Sequence, residues 1–265
     1  MNLNILPEKR KSRFDEGLAE RVNKLAEEEA RREKLEARLK ERAEKAQQKM
    51  PKQIVIAADI YHLCQGYEEF MRIANSPSHP REFIPTELTD KYSPTKEQIL
   101  EFSRTLIDYF CVCGFSDYTA RYITALMQSS KDTEFVLDLT ELGVLIHKLG
   151  FKLKDKNLII NGNVGDGVGA GASNSQITVI GNAGCDAGAF MAGSQLTVHG
   201  NVGSDVCKYA GDSIIRIHGN AGYVGDYATD CQIYVKGTCR LSDYLGKGTE
   251  VHIWQNWCWE QVNPK

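Results

Sequence analysis

Long apolar runs are missing from this 265-residue chain. No stretch approaches the roughly 18–20 residues that a membrane-spanning helix needs, so no membrane span is expected. The N-terminus is charged and lacks the apolar core of a secretory signal, and the sequence predicts a soluble, cytoplasmic protein. Cysteines at metal-ligand spacing are missing too: the eight cysteines include no CxxC pair. Cys111 and Cys113 stand one residue apart on an expected helix, while Cys185, Cys207, Cys231 and Cys239 lie within a repeat, where reduced thiols act as small buried apolar groups. There is no GxxxxGK[ST] phosphate loop, no HExxH and no GxSxG, so no catalytic residue and no cofactor is assigned. The formal net charge of −3, with acidic residues interleaving the basic ones, argues against nucleic acid as a partner.

What the chain does have is a 19-residue period. Leu158, Ile177, Leu196 and Ile215 open near-copies of one phrase, and looser copies open at Ile233 and Val251. The clearest three read ITVIGNAGCDAGAFMAGSQ, LTVHGNVGSDVCKYAGDSI and IRIHGNAGYVGDYATDCQ. A fixed period of this size marks a stack of supersecondary units, each unable to bury its apolar face until a neighbour covers it. Within one copy a short β-rich run meets Gly-Asn-x-Gly, and a Gly/Ala/Asp-rich stretch then leads to the next run. Nothing between is long enough for a crossover helix. One copy therefore makes one coil of a parallel β-helix, with equivalent positions about 4.8 Å apart along the axis.

Stacked coils make ladders of like residues. Gly162, Gly181, Gly200, Gly219 and Gly237 fall in register at a corner needing positive φ or close backbone approach. Beside them run Asn163, Asn182, Asn201 and Asn220, whose amides can bond along the axis. By two-residue alternation Ile177, Val179, Leu196 and Val198 point inward, and Thr178, Thr197, Arg216 and Tyr234 point outward. The run Gly165-x-Gly167-x-Gly169-x-Gly171 suggests a dinucleotide fingerprint, but its spacing is wrong and no helix follows. Asp166, Asp186, Asp205 and Asp226 decorate the turns without the nonapeptide period of a calcium roll.

The repeated GNxG, as in Gly162-Asn-Val-Gly165-Asp-Gly-Val-Gly-Ala-Gly171, resembles the GXGXG β-helix domain found in the glutamate synthase large subunit and in one of the subunits of formylmethanofuran dehydrogenases. The likeness covers roughly residues 150–255, about two-fifths of the chain. It implies a right-handed β-helix that holds other domains or subunits in place and carries no catalytic residue. The amidotransferase, flavin and iron–sulfur parts of those enzymes have no counterpart here.

Three regions are expected in an α+β chain: a charged helical arm over 1–50, a helical cap domain over 51–150, and the right-handed parallel β-helix, about 19 residues per coil, over 151–265. The arm is mostly Glu, Lys, Arg and Ala, with i to i+4 pairs such as Glu20 with Lys24 and Glu36 with Lys40. Its apolar positions Leu18, Val22, Leu25, Leu35 and Leu39 form a broken seam, so it reads as a solitary exposed helix, a helix docked in a partner's groove, or a short coiled coil. In the cap domain, Ser93-Pro94 predicts a helix start, followed by an apolar stripe at Ile99, Phe102, Leu106 and Phe110 and a stop at Gly114. Ser116-Asp117 starts a second helix through Tyr122, Ile123, Leu126 and Met127. A third is expected from about Thr140 to Leu149. Together they would cover the open first coil, whose strand edge is otherwise unpaired.

Two clusters stand out. His199 and His218 occupy one position in successive coils, an outward polar ladder or interface contact, or a weak candidate metal pair. Ile180 and Lys236 hold the flanking rungs, so the ladder offers no third ligand. Trp254, Trp257 and Trp259 are all three tryptophans of the chain. They read as a plug over the last coil or as anchors for a partner, both of which bury them. Two functional classes follow. The first is a non-catalytic scaffold or assembly subunit, with a protein partner or as a homo-oligomer; the second is an accessory subunit of an enzyme complex in one-carbon (formyl transfer) or glutamate metabolism.

Overall fold

The computed structural model describes residues 60–75, 89, 92–109, 115–255 and 258–262. The arm over 1–50, with Leu18, Val22, Leu25, Leu35 and Leu39, lies outside the described residues, as do Cys111, Cys113 and Trp257. No helix among the described residues is long and apolar enough to cross a membrane.

The repeat folds into a parallel β-solenoid of about six turns. Its strands are β1 Glu134–Asp138, β2 Asn157–Asn161, β3 Gln176–Ile180, β4 Gln195–Val198, β5 Ile214–Ile217, β6 Tyr223–Val224, β7 Gln232–Val235, β8 Arg240–Leu241, β9 Glu250–Gln255 and β10 Cys258–Val262. One sheet carries eight of them in the order β1-β2-β3-β4-β5-β7-β9-β10, and a second, two-stranded sheet joins β6 to β8. Leu158, Ile177, Leu196, Ile215, Ile233 and Val251 pair successively in register. All six are buried, as are Val179 and Val198, whereas Thr178 and Thr197 are half-buried and Arg216 is exposed on the other face. Each fully buried aliphatic of this column contributes about 1.5–3 kcal/mol over leaving it in water.

Coil-to-coil polar bonding follows the same register. Asn163 Oδ1 accepts from Asn182 N, Asn182 Oδ1 from Asn201 N and Asn201 Oδ1 from Asn220 N, each at 2.8 Å, and Thr238 N closes the series on Asn220 at 2.9 Å. The glycines beside them are there for close approach: only Gly162 of that column has a positive φ, of 117°, while a Cβ on Gly219 or Gly237 would stand 2.6 Å from the preceding coil's carbonyl oxygen. A buried serine column does similar work inside, Ser175 N donating to Ser194 Oγ at 3.1 Å and Ser194 N to Ser213 Oγ at 3.3 Å.

The helices among the described residues are α1 Tyr61–Ala74, α2 Lys96–Thr105, continued by a 3-10 turn at Leu106–Asp108, and α3 Phe115–Ser129. Ile99, Phe102 and Leu106 are buried along α2 and its continuation. The cap of α2 is Thr95 rather than Ser93: its hydroxyl accepts from Gln98 N and the Gln98 side chain accepts from Thr95 N, a capping box that satisfies two orphan donors. Tyr122 donates to Leu63 O at 2.8 Å, and Tyr67 Oη shares a 2.6 Å hydrogen bond with Thr119, so the buried rings keep polar partners. Burial pushes the Tyr67 hydroxyl up to about 12.

α2 packs on β1, the terminal strand of the large sheet. Asp138 N donates to Ser103 Oγ at 3.1 Å, Lys156 Nζ donates to Ser130 O and Asp132 O, and Gln128 bonds both ways with the Lys154 backbone. The expected third helix does not form. Residues 140–149 are turns of the first coil, and the sheet begins at Glu134, before the boundary read at 150. The reason is an irregular first coil: Phe135 pairs with Leu158, 23 residues on, so the period is broken just where the apolar residues of 142–149 imitate a helical stripe.

Candidate functional site

Two outward features of the solenoid present chemistry that the fold itself does not consume. The first is a corner. Phe190, Tyr209, Tyr227 and Tyr244 stack ring on ring at 5.2, 5.1 and 5.3 Å, with interplanar angles of 16°, 4° and 10°. They are 61%, 48%, 46% and 63% exposed. Phe190, Tyr209 and Tyr227 hold left-handed φ values of 58°, 54° and 52°, where earlier coils place Gly171 and Lys152. A bulky side chain in that conformation costs on the order of 1–2 kcal/mol, which ring stacking of about 0.5–1.5 kcal/mol per pair offsets in part. Backbone bonds hold the corner: Phe190 N to Lys208 O and Tyr209 N to Asp226 O, both at 2.8 Å. Lys208 bridges Asp205 at 3.4 Å and Asp226 at 3.3 Å alongside, and these carboxylates hold its ammonium above the usual lysine range.

This ladder is absent from the sequence expectations although its signal is present, since all three repeat copies carry an aromatic residue at nearly the same place in the turn. The 19-residue period brings Phe190 and Tyr209 together, and a copy one residue shorter brings Tyr227 onto the same corner.

The second feature is the outer sheet face. His199 and His218 stack at 4.6 Å with 28° between planes, both exposed. Burial against the sheet, with His199 and Lys236 beside it, pushes His218 below the usual imidazole range. Its neutral form is therefore favoured in the folded chain. Among the described residues no group of three or more His, Cys, Asp or Glu side chains is gathered in metal-binding proximity. His252, which has no readable spacing in the sequence, stacks on Tyr234 at 4.8 Å and faces Glu250 at 3.2 Å. His147 accepts from Asp166 N at 2.9 Å and heads another coil-to-coil series, in which Cys185 N donates to Asp166 and Ser204 N to Cys185 Sγ.

The tryptophans correct an expectation. β10 folds back antiparallel on β9, Trp259 opposite Trp254, and covers the free edge of that strand. Trp254 is half-buried and Trp259 is 43% exposed, so neither plugs the interior. Strand alternation sends both to the outer face, where Trp259 meets Trp254 at 5.2 Å and Tyr234 at 5.4 Å, edge to face. Cysteines divide as well: Cys64, Cys207 and Cys231 are buried free thiols, but Cys185 and Cys258 are exposed. Cys231 occupies the inner serine column and bonds Thr229 O at 3.3 Å, as Ser213 bonds Gly211 O at 2.8 Å.

No family model, curated protein or solved structure matches the chain.

Proposed function

We propose that this chain is a non-catalytic assembly subunit, a rigid solenoid that holds protein partners in fixed positions through its outer surface and through the charged segment over residues 1–50. The aromatic corner carries the reading. Four exposed rings are held in line by coil register, three of them in a backbone conformation that disfavours bulky side chains. Rigid aromatic rings lose little side-chain entropy on burial and are enriched in the cores of protein interfaces. Likeness of the GNxG repeat to GXGXG domains supports the same reading, and carries with it a right-handed coil and a placement role.

The test compares three proteins by light scattering and by affinity purification with stoichiometry from mass spectrometry: the full chain, Tyr209→Asn/Tyr227→Asn, and a chain lacking residues 1–50. Asn tolerates the left-handed corner, so the ladder variant keeps its fold. The full chain is expected in an assembly of fixed stoichiometry that the ladder variant and the truncation weaken at least tenfold. A solitary full chain, or an assembly indifferent to both changes, overturns the proposal.

A further inference from the structure

The outer sheet face also gathers cations in one groove. A groove of about 230 Å³ is lined by Arg216, Ile217, His218, Tyr234, Lys236 and Trp259. Arg216 and His218 are two residues apart and point outward from the β5 coil, and Lys236 follows β7 in the column of His199 and His218. Elsewhere in the fold Lys208 lies between Asp205 and Asp226, and Arg104 between Glu101 at 3.2 Å and Asp138 at 3.6 Å. The groove differs. Among the described residues no carboxylate lines it, and neither Arg216 nor Lys236 has one within ion-pair distance. The Arg216 guanidinium lies over the Tyr234 ring at 5.7 Å, and the neighbouring Glu250 is engaged by His252.

The groove brings two permanent cations, Arg216 and Lys236, and the His218 imidazole to one concavity, and such an arrangement favours an anion seated between them. The planar guanidinium, held over a ring, offers a fork that matches a carboxylate or phosphate edge, whereas Lys236 supplies a point charge. Trp259, partly exposed on the far wall, offers an apolar surface to whatever carries the anion.

We propose that this groove is a binding site for a small oxyanion, a phosphate monoester or carboxylate borne on a planar group. Arg216 and Lys236 are its fixed cations, His218 is a third donor gained on protonation, and Trp259 is the wall against the planar part. The site stands apart from the assembly role and does not rest on it.

The test uses the full chain and three probes: phenyl phosphate, benzoate and inorganic phosphate. Binding is read by titration calorimetry and by shifts of the His199 and His218 ring protons. Phenyl phosphate or benzoate is expected to bind saturably with one site per chain; which of the two binds tighter identifies the head group. Arg216→Gln/Lys236→Gln is expected to weaken binding at least tenfold with an unchanged melting temperature, since both side chains are exposed. Arg216→Lys, which keeps the charge and loses the fork, weakens it severalfold. Affinity for benzoate should rise as pH falls below the usual imidazole range in the parent and not in His218→Gln, because burial, His199 and Lys236 hold the His218 imidazole low; the groups facing His218 are His199, Lys236, Arg216, Tyr234 and Trp259. Trp259→Leu should weaken phenyl phosphate binding and leave that of inorganic phosphate unchanged. No saturable binding of any probe, or binding that survives loss of both cations, overturns the site; an unchanged affinity in Trp259→Leu overturns the planar part.

Discussion

A Cβ on Gly200 would stand 2.6 Å from the Gly181 carbonyl oxygen, a backbone atom that cannot move without opening the coil-to-coil bonds beside it. Gly200→Val is therefore expected to destabilise the fold by about 1–3 kcal/mol, the usual range for overpacking, seen as a lower urea midpoint at constant slope. Gly143 is the control: nothing lies within 4 Å of its Cβ position, and Gly143→Ala should stay within about 0.5 kcal/mol. A fully tolerated valine at Gly200 would remove close approach as the reason for the glycine column. That column is legible from the period, but its cause is not. Positive φ and close approach leave the same letter in the sequence, and only the folded backbone separates them.

At the scale of elements, the first coil shows where sequence reading stops. The stripe Ile99, Phe102 and Leu106 is readable because a helix repeats its apolar positions over several turns. β1 is not, because its partner strand lies 23 residues on and nothing in Glu134–Asp138 announces that pairing. Phe135 is nonetheless 1% exposed and forms the first rung of the inner column under α2. Phe135→Ala is expected to cost about 3–5 kcal/mol, as for other buried phenylalanines, and to be seen in both thermal and urea unfolding. Ile159→Ala, one position along on the outward face of β2, should cost far less. Equal effects of the two would place the outer face, not the inner column, against the helices.

Over the whole molecule, each coil contacts chiefly its two neighbours, so stability is a sum of coil terms and interfaces between them. The central coils of β3, β4 and β5 have a full coil on both sides, whereas β9 has the β7 coil on one side and only the strand β10 on the other. Native-state hydrogen exchange should then be slowest in β3 to β5 and faster toward β9 and β10, in graded steps. A single uniform protection level across all strands would mean that the solenoid opens as one cooperative unit. Such a graded, rigid array suits the proposed assembly role, because a partner held on a central corner is held on the part of the chain that opens least.

The sequence by itself determined the solenoid, its inner column and its asparagine ladder, because a repeated phrase stacks on its own copy and register follows without any knowledge of distant contacts. Tertiary structure alone decided what is not periodic. Turning β10 back on β9 set Trp259 against Tyr234 on the outer face, in place of the plug that composition suggests. The same turn walls the groove in which Arg216, His218 and Lys236 meet. An antiparallel return breaks the period, and a side chain that arrives from outside the repeat has no position in the repeat from which its neighbours can be read.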